Sequence, residues 1–105
     1  MLSLKKKEQG EKILKEIFMD KLEQLRREIS DCDASILKIL KKRFELCLDV
    51  AKLKKKLKID VFQAEREKEV KEFWKSKKEK VLREEFLMEL LDLLLKESKE
   101  IQKSS

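Results

Sequence analysis

The sequence predicts an all-α protein of three helices, the first very long, assembled as an intertwined helical homodimer. Three observations lead there. Apolar residues recur at helical spacing for more than forty residues from Leu14 onward. The chain holds one Gly, no Pro and no Tyr, which argues against a sheet protein with tight turns. Charged residues make up 48% of the 105 residues and hydrophobic ones 41%, a balance typical of long amphipathic helices.

In the first helix the apolar period runs through Leu14, Phe18, Leu22, Leu25, Ile29, Cys32, Ile36 and Ile39/Leu40, then Cys47, Val50 and Leu57. Leu22 to Leu57 alone would extend about 53 Å at the helical rise. A break is expected near "KID" (58–60), with Asp60 capping a second helix over roughly 61–76. That helix presents Phe62, Val70, Phe73 and Trp74, and Phe73 and Trp74 are expected in the core. A polar link, "SKKEK" (76–80), leads to a third helix over about 80–102, with Val81, Leu82, Phe86, Leu87, Leu90, Leu91, Leu94 and Leu95. Residues 1–19 have weaker periodicity, five Lys against three acids, and the only Gly, Gly10. They read as an N-terminal extension, either helical or disordered, ahead of a helical domain at 20–105.

The dimer follows from lengths. Helices two and three together barely match the first, so folding back on it leaves much of its stripe in water. A lone amphipathic helix is poorly stabilised. A second copy under two-fold symmetry is the simplest cover.

Composition excludes several classes. No window holds eighteen apolar residues, so no membrane partner is expected, and the start lacks the apolar run of a secretory signal. Cys32 and Cys47 sit about 22 Å apart on one helix, too far to bridge, which favours a reduced, cytoplasmic home. With no His and no Cys pair at zinc-site spacing, neither a metal nor a His-based triad is expected, and no cofactor is invoked. The net charge of +6 suits an anionic partner. The run "KLKKKLK" (52–58) raises nucleic-acid binding as a rival reading. Acidic residues intersperse the remainder and no groove-reading motif or aromatic platform accompanies it, so it reads as a solvated face without a nucleic-acid partner.

The informative irregularity lies in "KKRFELCLDVAKLKKK" (41–56). Its inward stripe runs through positions 43, 47, 50, 54 and 57, which places Arg43 and Lys54 in core register. Eleven residues turn about 1100°, only about 20° past three full turns, so the two cations share a face about 16 Å apart. Burying unpaired cations is costly, so something negative is expected between them. A structural ion pair or a register-fixing polar residue would explain one such position. Helix three repeats the pattern, because its stripe 87, 91, 94 continues into Ser98 and Gln102. Helix two adds Arg66, four residues before Val70. A plain coiled coil explains the long helix but not this set.

At these positions the sequence resembles a known family. The run "LRREISDCDASILKILKKRFEL" (25–46), then "VAKLK" (50–54), "ERE" (65–67) and "ESKEIQ" (97–102) resembles the all-helical class of chorismate mutases, over roughly residues 20–103. The resemblance implies three helices in an intertwined dimer with two shared active sites. It implies the Claisen rearrangement of chorismate to prephenate, in phenylalanine and tyrosine biosynthesis, without metal or cofactor. It also implies roles: Arg26 and Arg43 grip the two carboxylates, while Lys54 and Gln102 donate to the ether oxygen. Glu67 accepts from the ring hydroxyl, and Ser98 and Arg66 complete the polar wall. Where the family commonly has Asp, this chain has Gln63, whose amide still accepts from a hydroxyl, so altered rather than lost binding is implied. Relatives of the same fold eliminate pyruvate from isochorismate, and the sequence alone leaves that alternative open.

Geometry adds one constraint. Arg26 lies twenty-eight positions before Lys54 on the same helix, about 42 Å away. Only an antiparallel second chain could bring an Arg26 to this Lys54, so a site containing both must be shared.

Overall fold

A computed structural model describes residues 2–105. Its elements are three helices, α1 (Leu2–Leu57), α2 (Ala64–Ser76) and α3 (Glu84–Ser104). The all-α expectation and the very long first helix are both met, α1 having 56 residues against about 11–12 for an average helix. Two compact units divide the chain, Met1–Leu40 and Lys41–Ser105.

The first unit is helical from Leu2 onward. The sequence supports this, since it holds no Pro and Gly10 is its only Gly, whose cost is about 1 kcal/mol relative to Ala. Residues 5–39 are all exposed in the single chain. Phe18 is 66% exposed and Ile29 60%, although both lie on the apolar stripe. A single helix cannot bury its own stripe, and nothing within this unit covers it.

The second unit holds the packed interior: Ala51 of α1 with Leu87, Leu91 and Leu94 of α3. Leu91 is fully buried. The buried residues of α3 are Leu87, Leu91, Leu94, Ser98 and Gln102, the stripe expected from their spacing, polar members included.

Helix ends differ from expectation, for local reasons. Lys58 takes φ 57°, the left-handed conformation that Gly usually supplies. Its N–H donates to the Lys55 carbonyl at 3.2 Å, and the Ile59 N–H donates to the Lys54 carbonyl at 3.1 Å. These two bonds form a Schellman closure, which ends α1 where Lys54, Lys55 and Lys56 complement the helix dipole. The second helix starts at Ala64 with Gln63 as N-cap, not at 61 with Asp60 as cap. Gln63 is extended at φ −125° and its carbonyl accepts the Glu67 N–H at 3.0 Å.

The third helix starts at Glu84 rather than 80. Residues 79–82 instead close a turn by a Glu79–Leu82 bridge. Lys75 and Lys78 each stand 3.6 Å from the Glu84 carboxylate across that turn. Phe73 corrects another expectation. It is 60% exposed and carries Lys77 5.2 Å above its ring, and Trp74 is only half-buried, because α2 buries no residue fully.

Candidate active site

Periodicity alone brings the polar residues of the second unit together. Arg43 and Lys54 fall on the inward stripe of α1, Ser98 and Gln102 on that of α3, and Arg66 and Glu67 on the first turns of α2. Between them lies a cavity of about 280 Å³. Arg43, Lys54, Gln63, Arg66, Glu67, Ser98 and Gln102 all line it, with Leu46, Cys47, Val50, Val61, Val70 and Leu95 as its apolar walls. Seven of the eight site residues expected from sequence therefore meet at one cavity. The eighth, Arg26, lies in the first unit.

Two cross-helix bonds set the walls. The Arg43 guanidinium donates to Ser98 Oγ at 2.6 Å, and that hydroxyl donates onward to the Leu94 carbonyl at 2.7 Å. Lys54 Nζ donates to Gln102 Oε1 at 2.9 Å and to the Val61 carbonyl at 2.5 Å. Ser98 and Gln102 are 6% and 9% exposed, so these polar atoms are satisfied inside the unit. Satisfaction is incomplete in a useful way. Gln102 accepts a hydrogen bond through its carbonyl oxygen, which leaves its amide N–H donors available, and one bond occupies only part of the five-donor guanidinium of Arg43.

The opposite wall is looser. Arg66 is exposed and 3.4 Å from Glu69, a weak surface pair. The Gln63 side chain turns back to the Asp60 carbonyl at 2.9 Å and fastens the α1–α2 link. Glu67 is the only acidic side chain in the lining and is mostly buried. Lys99 Nζ stands 3.1 Å from its Oε2, and Lys71 Nζ 3.7 Å from its Oε1. Lys99 itself lines the cavity and lies 4.6 Å over the Phe62 ring. Sequence reasoning missed Lys99 and Phe62. The available signal was that Lys99 sits three residues before Gln102, one helical turn along the same side.

Chemically, the cavity offers four cations and two amides against one carboxylate, within apolar walls. Such a lining suits a small polyanion, with planar forks for carboxylates and neutral or cationic donors for a developing oxyanion.

Known proteins agree with that chemistry. Residues 25–103 match the family of chorismate mutase type II. The chain is similar to the chorismate mutase of Methanocaldococcus jannaschii, with 33% identity over 87 residues, 82% of this chain and 88% of that protein. No solved structure matches it. Fold and relatives define an all-helical isomerase. The chain belongs to the chorismate mutase type II family, as the order of motifs along the sequence implied.

Lys54→Met retains the aliphatic stem and removes both side-chain bonds. Amide exchange at residues 58–63 is expected to accelerate by about tenfold or more, the loss of roughly one charge-assisted hydrogen bond. Unchanged exchange there would show that Lys54 does not fasten the link.

Proposed function

We propose that two copies of the chain intertwine antiparallel, and that each cavity rearranges chorismate to prephenate with help from the partner's Arg26. The observation that carries this is the convergence of Arg43, Lys54, Gln102, Ser98 and Glu67 on one small cavity. Family membership supports the reaction. The exposed apolar stripe of the first unit supports the dimer, since an uncovered strip of that size calls for a protein partner. A single copy supplies Arg43 but has no second guanidinium on the α1 and α3 walls for the other carboxylate. Arg26 of an antiparallel partner fills that need.

The rearrangement is unimolecular. The ether C–O bond breaks as the new C–C bond forms, and no proton is transferred. The enzyme therefore acts in two ways. Arg43 and the partner's Arg26 clasp the two carboxylates and hold the flexible enolpyruvyl arm over the ring, replacing rotational freedom by binding. Lys54 and the amide of Gln102 meet the ether oxygen, where negative charge grows as C–O stretching runs ahead of C–C formation. The bond from Lys54 to Gln102 fixes the amide orientation, so its N–H faces the substrate oxygen without prior reorganisation. Glu67 accepts from the ring hydroxyl, Gln63 assists there in place of an acid, and Ser98 and Arg66 complete the wall. The two unbridged cysteines fit a cytoplasmic setting.

Purified protein is expected to consume chorismate, followed by its ultraviolet absorbance, and to leave isochorismate unchanged. Release of pyruvate from isochorismate with chorismate untouched would move the chain to the lyase reading. Arg26→Ala and Lys54→Ala are each expected to lose roughly 100-fold or more in kcat/KM. Mixing the two variants should restore up to about a quarter of wild-type sites, because half of the chains pair as heterodimers and one of their two sites is intact. No recovery after subunit exchange would contradict the shared site.

Gln102 does not titrate, so activity is expected to stay level through the neutral range. In Gln102→Glu the new carboxyl donates only while protonated, so activity should fall as pH rises past the ordinary Glu range. A level profile in that variant would remove Gln102 from the mechanism.

A further inference from the structure

We propose that Lys99 is a positioning residue: it fixes the Glu67 carboxylate in the cavity wall and cancels its charge toward an anionic substrate. This rests on the reading that the cavity binds chorismate through Glu67.

A lone carboxylate is a poor neighbour for a dianion. Glu67 is the only acid in the lining, and its side chain is 19% exposed, so solvent screens it weakly. Two cations answer it, and they differ in what they can do. Lys71 lies one turn along α2 itself, so its pairing is local and leaves the carboxylate free to swing with the helix. Lys99 reaches across from α3 and touches Glu67 Oε2 at 3.1 Å. The same ammonium rests 4.6 Å from the centre of the Phe62 ring, which lines the cavity from the α1–α2 link. One side chain of α3 thus ties α2 and the link to the wall that carries Ser98 and Gln102.

The pairing also sorts the two oxygens of Glu67. Oε2 is engaged by Lys99. Lys71 Nζ stands 3.7 Å from Oε1, longer than a hydrogen bond, so Oε1 retains its capacity to accept from a hydroxyl. Removing Lys99 would release the carboxylate and expose its charge to the substrate in both ground and transition states. Uniform binding would then be lost, which appears in KM rather than kcat.

The test is steady-state turnover of chorismate by Lys99→Met, Lys99→Arg, Glu67→Gln and the double variant Lys99→Met/Glu67→Gln. Met preserves the stem against Phe62 and removes the charge; Arg preserves the charge. Lys99→Met is expected to raise KM about tenfold with kcat within about twofold, and Lys99→Arg to stay within about threefold of wild type. In the Glu67→Gln background Lys99→Met should change KM by less than about twofold, because the charge it answers is gone. Thermal melts of all four within a few degrees of wild type would separate positioning from folding.

A wild-type KM in Lys99→Met, an equal KM rise in the Glu67→Gln background, or Arg no better than Met would each overturn the assignment. Wild-type turnover reports on the reaction separately. An active enzyme with a silent Lys99→Met removes only the role of Lys99, whereas an inactive wild type removes both.

Discussion

The ammonium of Lys54 is the point on which the second unit turns. Its backbone carbonyl closes α1 by accepting the Ile59 N–H, and its Nζ holds the Val61 carbonyl of the link and Oε1 of Gln102 on α3. One residue thus ends a helix, fastens the next connection and joins a third element. A Leu there could fill the space but could not satisfy a carbonyl and an amide. Arg43 and Ser98 repeat the arrangement one stretch earlier along the same pair of helices. Replacing a buried polar seam by apolar packing is often neutral or stabilising. Its presence here is therefore poorly explained by stability and well explained by a ligand that needs fixed positive donors.

Much of this was written in the period of the sequence. The stripe 87, 91, 94, 98, 102 was readable because helical spacing does not depend on what packs against it, and all five residues are buried. Arg43 and Lys54 stood out for the same reason. What the sequence hid was decided by backbone conformation or by distant neighbours. The end of α1 depends on left-handed Lys58, and with no Gly or Asn there the usual signal is missing. Asp60 looked like a cap but precedes the start of α2 by four positions. Phe73 looked like core because aromatics usually are, yet α2 is too lightly covered to bury it. Lys99 resembles any surface lysine until Glu67 and Phe62 are brought beside it, a tertiary event with no local mark.

The two units divide the labour. Lys41–Ser105 carries all the polar side chains that line the cavity and its own buried core. Met1–Leu40 carries an apolar stripe and Arg26. On the proposed dimer these are complementary deficits: the stripe lacks a cover, and the α1 and α3 walls of the cavity hold one guanidinium, that of Arg43. Assembly would supply both, so that folding, association and formation of the site become one event.

The central claim is that the cationic seam around Lys54 holds a small dicarboxylate. Calorimetric titration with prephenate, the rearranged product, addresses it without relying on turnover. One prephenate bound per chain, with affinity that weakens as salt is added and is abolished in Lys54→Met, is the expected result. Absence of binding, or binding that Lys54→Met leaves intact, would contradict the account.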